Sequence, residues 1–186
     1  MDKALGWVGE IFQTLLKLMP WLVIVPATHG GVAFVRGHRV KEWKPGLHWY
    51  WPVATTYTLM MVVRQTQLIQ TRVLMTKDGQ TVMVGALITY VVDDVVKAVA
   101  HIADLASDVM ERTQGAIFLA VTSRTLAEIH QDRGEFNKEL TERAAASLNG
   151  YGVNVQQCQL TEFAPCRAFA LNNRSTVGNY NLWTHL

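Results

Sequence analysis

The chain has 186 residues, of which 49% are hydrophobic and 17% are charged, and its formal net charge is +2. This composition suffices for one folded domain with a sizeable core and excludes an intrinsically disordered chain. So small an excess of positive charge is not the basic stripe that phosphate backbones require, and nucleic acid is not an expected partner.

An amphipathic helix is predicted before Pro20, because apolar side chains recur there at three- and four-residue spacing. Glu10, Lys17 and Pro20 interrupt the stretch, which disfavours a simple transmembrane span, and no signal-peptide cleavage site follows. Two interpretations stay open: a helix lying in the membrane interface, continued by the apolar run 21–25, or an ordinary helix packed in a core. The residues predicted to contact the membrane are Leu5, Trp7, Val8, Ile11, Phe12, Leu15, Leu16, Met19 and Trp21.

A basic cluster follows this segment. Arg36, Arg39, Lys41 and Lys44 are opposed only by the acidic residue Glu42. Each cation near an anionic leaflet contributes about 1 kcal/mol, although a solvated hairpin would carry the same residues. Helix and cluster together favour membrane attachment, and we assign the predicted contact with anionic lipid to these four cations.

Successive strands are predicted between residues 30 and 94, where β-branched and aromatic residues alternate with turn signals. The clearest strand covers 80–92, and the turn at 78–79 would join it to an antiparallel partner at 64–75. The aromatic cluster at 49–51 fits either strand residues packed in a small barrel or a patch in lipid headgroups.

Helical periodicity begins after Asp94, which is a plausible N-cap. A short helix over 95–102 is followed by a long helix over 105–130, capped by Asp104, and by a third helix over 133–149. Gly150 supplies the stop signal for the third helix.

A final strand is predicted over 153–163, and the order of strands, helices and a strand indicates an α+β fold. The chain then divides into three parts. Residues 1–25 form the N-terminal membrane-associated hydrophobic segment, 26–163 the α+β domain, and 164–186 an irregular tail.

Catalytic, phosphate-binding and metal-site signatures are missing from the sequence. It has no GxxxxGK(S/T), GxGxxG or GxSxG segment, and its six histidines show no HxH, HxxxH or HExxH spacing. Cys158 and Cys166 form neither a CxxC pair nor a disulfide framework. We therefore expect no catalytic residue, no cofactor, no metal and no enzyme activity.

Five segments, taken in order, resemble the stomatin, prohibitin and flotillin superfamily, whose common unit is the SPFH or band 7 domain. They are GVAFVRG at 31–37 followed by PGLH at 45–48 and Pro52; TKDGQTV at 76–82; ITYVV at 88–92; LAEI at 126–129 with Asp132-Arg133 and Phe136; and YGV at 151–153 leading to Val155 and Leu160. Each segment is common by itself, but their order over residues 30–163 is specific to the family.

The resemblance implies an SPFH domain with an N-terminal membrane element and no catalytic residues. It also implies assembly into large homo- or hetero-oligomeric rings or cages that organise a lipid bilayer, and for this chain we expect a homo-oligomer. Unlike most members, this sequence has no long Ala- and Glu-rich helix after Phe163 to build a coiled-coil wall, so we expect a ring or flat lattice.

The expected function is a self-assembling membrane scaffold, placed on the cytoplasmic face by its basic cluster. Two alternatives stay open. One is a regulator that directly binds a single membrane protein, such as a protease or channel; the other is a soluble or virion-type structural ring.

Overall fold

The first half of the fold consists of two small antiparallel sheets in the computed structural model, which describes residues 19–166. Strands β1 (Trp21–Val25) and β4 (Gly46–Tyr50) pair as a two-stranded ribbon. In the second sheet, β2 (His29–Val35) lies between β3 (Arg39–Trp43) and β5 (Thr55–Met61).

A longer antiparallel sheet follows, in the order β6 (Gln65–Met75), β7 (Thr81–Val92) and β8 (Val153–Pro165). The alternate β7 side chains from Val82 to Val92 that face the core are at most 3% exposed, as their spacing predicts. The predicted hairpin between β6 and β7 and the predicted closing strand are both confirmed.

Four helices lie between β7 and β8 along the chain. They are α1 (Val95–His101), α2 (Leu105–Thr122), α3 (Leu126–Gln131) and α4 (Arg133–Ser147). The two predicted N-caps are confirmed: the Asp94 carboxylate accepts from the Lys97 amide at 3.0 Å, and the Asp104 carboxylate accepts from the Ala106 amide at 3.1 Å. These caps satisfy amides that the helices cannot pair internally.

The single long helix predicted over 105–130 is wrong, because α2 ends at Thr122 and α3 begins at Leu126, after three intervening residues. The Thr125 hydroxyl accepts from the Glu128 amide at 3.3 Å, and the Glu128 carboxylate accepts from the Thr125 amide at 2.9 Å. This capping box starts a new helix. Apolar spacing continues across the break because both helices bury side chains in one core.

Strand β2 is shared by two cores. The smaller core consists of buried Val25, Ala33 and Trp43. Val32, the neighbour of Ala33, belongs instead to the larger core between the long sheet and the helices. Helix α1 packs closely on β2 at Gly30, where an added Cβ would lie 2.6 Å from Val95 Cγ2. The first half of the fold is therefore joined to the second through buried contacts.

The order of strands, helices and a closing strand confirms the predicted α+β fold. The run 21–25, which the sequence grouped with the N-terminal segment, is a paired strand of the folded domain. Residues 1–18 and 167–186 lie outside the described part of the chain, and so do the predicted N-terminal helix and most of the predicted irregular tail.

Candidate functional site

One face of the two-stranded sheet β1–β4 is apolar and exposed. Leu22 lies opposite Trp49 and Ile24 lies opposite Leu47, so the four side chains share a face. Their exposed fractions range from 46% for Leu22 to 68% for Trp49. We call these four residues the apolar ribbon. Contiguous exposed apolar side chains of this kind mark interaction sites.

The opposite face of β1–β4 packs on an aromatic layer. The rings of Trp43 and His48 stack in parallel with centroids 5.0 Å apart, and Tyr50 meets Tyr57 edge-on at 5.1 Å. His48 Nε2–H donates to the carbonyl oxygen of Lys44 at 2.7 Å. Burial, together with the Tyr57 phenol beside it, raises the pKa of Tyr50, so this phenol stays uncharged at neutral pH. The apolar ribbon thus has a packed aromatic backing.

The exposed apolar surface continues into residues 51–53, which we call the tryptophan loop. Trp51 and Val53 are 54% and 75% exposed. The Ala54 amide donates to the Trp51 carbonyl oxygen at 3.0 Å and closes a turn, and the Arg36 amide donates to the Ala54 carbonyl oxygen at 2.7 Å. The second bond holds the tryptophan loop against the turn that joins β2 to β3.

The four cations predicted to contact anionic lipid are all exposed and lie along the β2–β3 hairpin and its exit. Arg36 occupies the turn, Arg39 and Lys41 lie on β3, and Lys44 follows that strand. Ion pairs within the described residues are formed by other side chains, so none of these four is paired with a carboxylate of residues 19–166. Arg36 and Arg39 line one cleft of about 320 Å³, whereas Lys44 lies at the opposite end of β3.

Charge is unevenly distributed along the described chain. Residues 19–61 carry four basic side chains against one acidic side chain, whereas residues 62–166 carry nine basic against twelve acidic. Residues 19–61, which bear the apolar ribbon, are therefore net positive. Residues 62–166, which form the long sheet and the helices, are net negative. An anionic surface would attract the first part and repel the second.

Two of the nine residues predicted to contact the membrane lie in the described chain. Met19 and Trp21 are 60% and 55% exposed. The other seven, between residues 5 and 16, lie outside it. Sequence reasoning offered a membrane role for the run 21–25 and for the cluster 49–51, but it missed their pairing into one apolar ribbon. Alternation in a strand shows that two faces differ but not which face solvent covers.

Members of the aromatic cluster at 49–51 differ in burial, and contact with lipid headgroups stays a prediction for the exposed ones. Tyr50 packs on the smaller core, as a strand residue of a small barrel would. Trp49 and Trp51, its neighbours in sequence, are more than half exposed. Strand alternation explains this difference, because successive side chains point to opposite faces.

A second apolar surface lies on the long sheet, on the face turned away from the helices. Val73 lies opposite Met83, and Met75 and Leu68 occupy the same face. We call these four residues the second apolar surface; their exposed fractions run from 39% to 65%. The Thr71 hydroxyl donates to the Glu162 carboxylate at 2.7 Å above Gly85, in the middle of this face.

No three His, Cys, Asp or Glu side chains within residues 19–166 converge as metal ligands would. Burial raises the pKa of the Cys158 thiol to about 12, which keeps it protonated and unreactive at neutral pH. In the same range, none of the helices has the length and apolar character needed to cross a bilayer.

Comparisons with known proteins complete this description. A family model described as "SPFH domain / Band 7 family" matches residues 23–173. An uncharacterized protein of Archaeoglobus fulgidus is 25% identical over 156 residues, which cover 84% of this chain and 63% of the relative. An uncharacterized protein of Methanocaldococcus jannaschii is 26% identical over 164 residues, which cover 88% of this chain and 82% of the relative. The chain thus spans less than two thirds of the Archaeoglobus protein.

Proposed function

Since the chain belongs to the SPFH domain / Band 7 family, we propose that it is a membrane-bound scaffold whose copies assemble side by side and organise the bilayer patch beneath them. The assembly is a ring, lattice or cage of identical chains. The bilayer is bound on its cytoplasmic face, where anionic lipids are concentrated.

The apolar ribbon is the observation that carries this proposal. Four apolar side chains exposed on one face of a well-packed sheet would be costly in water, and the membrane interface removes them from it. Trp49 and Trp51 suit that depth in particular, because indole rings combine an apolar body with a polar N–H group. The neighbouring cations would then lie at the level of the lipid phosphates.

The uneven charge supports one orientation on the membrane. The net positive residues 19–61, which bear the apolar ribbon, would face the anionic leaflet. The net negative residues 62–166, with the long sheet and the helices, would face away. Each cation near the leaflet contributes about 1 kcal/mol, so one copy binds weakly. Many copies held together bind firmly, because their weak contacts add.

Contact between copies is assigned in this proposal to the second apolar surface. It lies on a different sheet from the apolar ribbon, so the bilayer and a neighbouring copy do not compete for the same residues. Its occupant is a second copy of this chain, since members of the family assemble with themselves.

Flotation of the full-length protein with vesicles of phosphatidylcholine and phosphatidylserine tests membrane docking. Trp49→Glu places a charge on the apolar ribbon and should lower the membrane partition coefficient by about tenfold or more. Leu119→Glu is the matched control, because Leu119 is 58% exposed on α2 and the charge change is the same. Equal flotation of the two variants would contradict the assignment. Phe12→Glu combined with Leu15→Glu tests the predicted N-terminal helix in the same assay.

Electron microscopy and mass measurement of the detergent-extracted protein test assembly. The wild-type chain should give large particles, and Val73→Glu combined with Met83→Glu should reduce them to monomers or small oligomers. Circular dichroism checks that both exposed positions tolerate the change. A wild-type monomer or dimer that copurifies with one membrane protein would instead support a regulator of that protein.

A further inference from the structure

The β2–β3 turn and the tryptophan loop line two adjoining clefts that share Val35 and Arg36, and we treat them as two chemically different halves of one cleft. Val35, Arg36, His38 and Arg39 line the first half, about 320 Å³ in volume. The second half, about 380 Å³, is lined mainly by Val35, Arg36, Trp51 and Val53. Val35 and Arg36 belong to both halves. Volumes of this size are at the lower end of the range for small-molecule sites.

The basic half presents donors that other groups leave available. Within residues 19–166, neither Arg36 nor Arg39 takes part in an ion pair. The His38 Nδ1 atom lies 3.0 Å from the Arg36 carbonyl oxygen, which holds the imidazole ring in the same turn. Guanidinium groups match phosphate oxygens in a fork geometry, and such bonds are among the strongest hydrogen bonds in proteins.

The apolar half would accept the apolar body of a ligand whose phosphate binds in the basic half. Trp51 and Val53 are both more than half exposed, and no charged side chain other than Arg36 lines this half. A ligand that fills the whole cleft therefore combines a phosphate with an apolar body. That combination describes a phospholipid.

Arg36 has a backbone conformation that its own side chain disfavours. Its φ angle is +52°, in the left-handed region, and the next residue, Gly37, has a φ angle of +73°. Glycine adopts this region without strain, whereas a residue with a Cβ does not. The tight turn takes the left-handed region at both of these central positions, so glycine would fit position 36 with less strain than arginine.

We propose that this cleft binds one anionic phospholipid, with its phosphate between Arg36 and Arg39 and its glycerol and upper acyl chain against Trp51 and Val53. This inference rests on the proposed membrane-docking function, and it turns a general attraction to anionic lipid into a site with defined stoichiometry. Lys41 and Lys44 lie outside the cleft and contribute only through the field of their charges.

A water-soluble probe tests the site without a bilayer. Dihexanoyl phosphatidic acid, below its micelle concentration, is titrated into the full-length protein in uncharged detergent, and binding is followed by tryptophan fluorescence and calorimetry. We expect saturable binding of one lipid per chain. Dihexanoyl phosphatidylcholine, whose phosphate is covered by choline, and inorganic phosphate, which lacks the apolar body, should each bind at least about tenfold more weakly.

Two variants separate a binding role from a structural one. Arg36→Gly should weaken binding of the short-chain lipid by about tenfold or more and yet raise the thermal unfolding midpoint, because glycine relieves the left-handed strain. Arg39→Gln should weaken binding to a similar degree. Lys44→Gln removes the same charge from the same hairpin but outside the cleft, and should leave binding of this probe nearly unchanged.

Several results would overturn the site. One is inorganic phosphate binding as tightly as the lipid, and another is Lys44→Gln weakening binding as much as Arg39→Gln, since diffuse attraction would then suffice. Failure of the site and failure of the proposed function differ in outcome. A protein that floats with vesicles but does not bind the probe lacks the site; one that binds the probe but does not float keeps the site and contradicts the membrane scaffold.

Discussion

Asp104 is a residue whose stabilising role depends on its charge. The hydroxyl and amide of Ser107 donate to its carboxylate, and the Ala106 amide donates as well. These bonds favour the ionised form and hold the pKa of Asp104 below its usual range. The carboxylate at the first turn of α2 also interacts favourably with the helix dipole.

A pH dependence follows from this lowered pKa. Since the folded state has the lower pKa, the charge of Asp104 stabilises the fold above the unfolded pKa, and this contribution is lost as the pH falls through the folded value. Asp104→Asn keeps a good N-cap but removes the charge. The variant should be less stable than the wild type at neutral pH, and the difference should shrink in acid. Urea unfolding at several pH values measures it, and a difference that stays constant down to the acid range would contradict the prediction.

Among single residues, those whose role is local could be predicted from the sequence. Asp94 and Asp104 were identified as caps because a short acidic side chain before an apolar period is a local signal. The left-handed conformation of Arg36 could not be foreseen, because most sequences place glycine or asparagine at such a position. Its neighbour Gly37 indicated only that a turn was present.

At the level of secondary-structure elements, the break between α2 and α3 depends on a capping box. Thr125→Ala removes the hydroxyl that accepts from the Glu128 amide. We expect a loss of about 1 kcal/mol in the free energy of unfolding, as for other N-cap threonines. Denaturant unfolding followed by circular dichroism measures it.

Thr122→Ala is the matched control for the capping box. The Thr122 hydroxyl donates to the Phe118 carbonyl oxygen at 2.8 Å within the same helix. Such a bond adds little stability, and alanine is the better helix former. Thr122→Ala should therefore leave stability unchanged or slightly raised, and an equal loss in both variants would refute the special role of Thr125.

Elements with a strong local pattern were predicted, and elements fixed by distant contacts were not. The strand β7 and its hairpin with β6 follow from alternation and a turn within some 30 residues. The pairing of β1 with β4 joins segments separated by two other strands, and no local pattern encodes it. Thr125 and Glu128 have the spacing of a capping box. The continuous apolar spacing on both sides of them nevertheless favoured the prediction of one long helix.

On the scale of the whole molecule, the segregation of charge predicts a salt dependence of membrane binding. The exposed cations of residues 19–61 act through solvent, and salt screens them: the Debye length falls from about 10 Å at 0.1 M to about 3 Å at 1 M. Flotation of the wild type with anionic vesicles should therefore decrease as salt rises but not vanish, because the apolar ribbon does not depend on charge.

A variant with fewer cations gives the matched comparison for salt dependence. Arg39→Gln combined with Lys41→Gln should float less than the wild type at low salt and show a flatter response to added salt. Flotation measured over a salt series gives both slopes. Identical slopes for the variant and the wild type would contradict an electrostatic role for this hairpin.

The sequence predicted the fold class and the family, since five ordered segments carry the resemblance. It predicted the cations as a cluster but not their division, which places Arg36 and Arg39 in one cleft and Lys44 at the far end of β3. The cleft itself could not be predicted, because it forms where two turns meet that are 15 residues apart in sequence.

The strand β2 has a mechanical consequence. Val32 fills the larger core and Ala33 the smaller one, while Gly30 lies directly against α1. The small sheets therefore cannot swivel relative to the helices without opening a core, at a cost of about 25 cal/mol for each Å² of apolar surface exposed. If copies dock on the bilayer and assemble as proposed, each would connect the bilayer to its neighbour as a stiff body. Such an assembly would impose its own curvature on the membrane rather than follow the curvature that it meets.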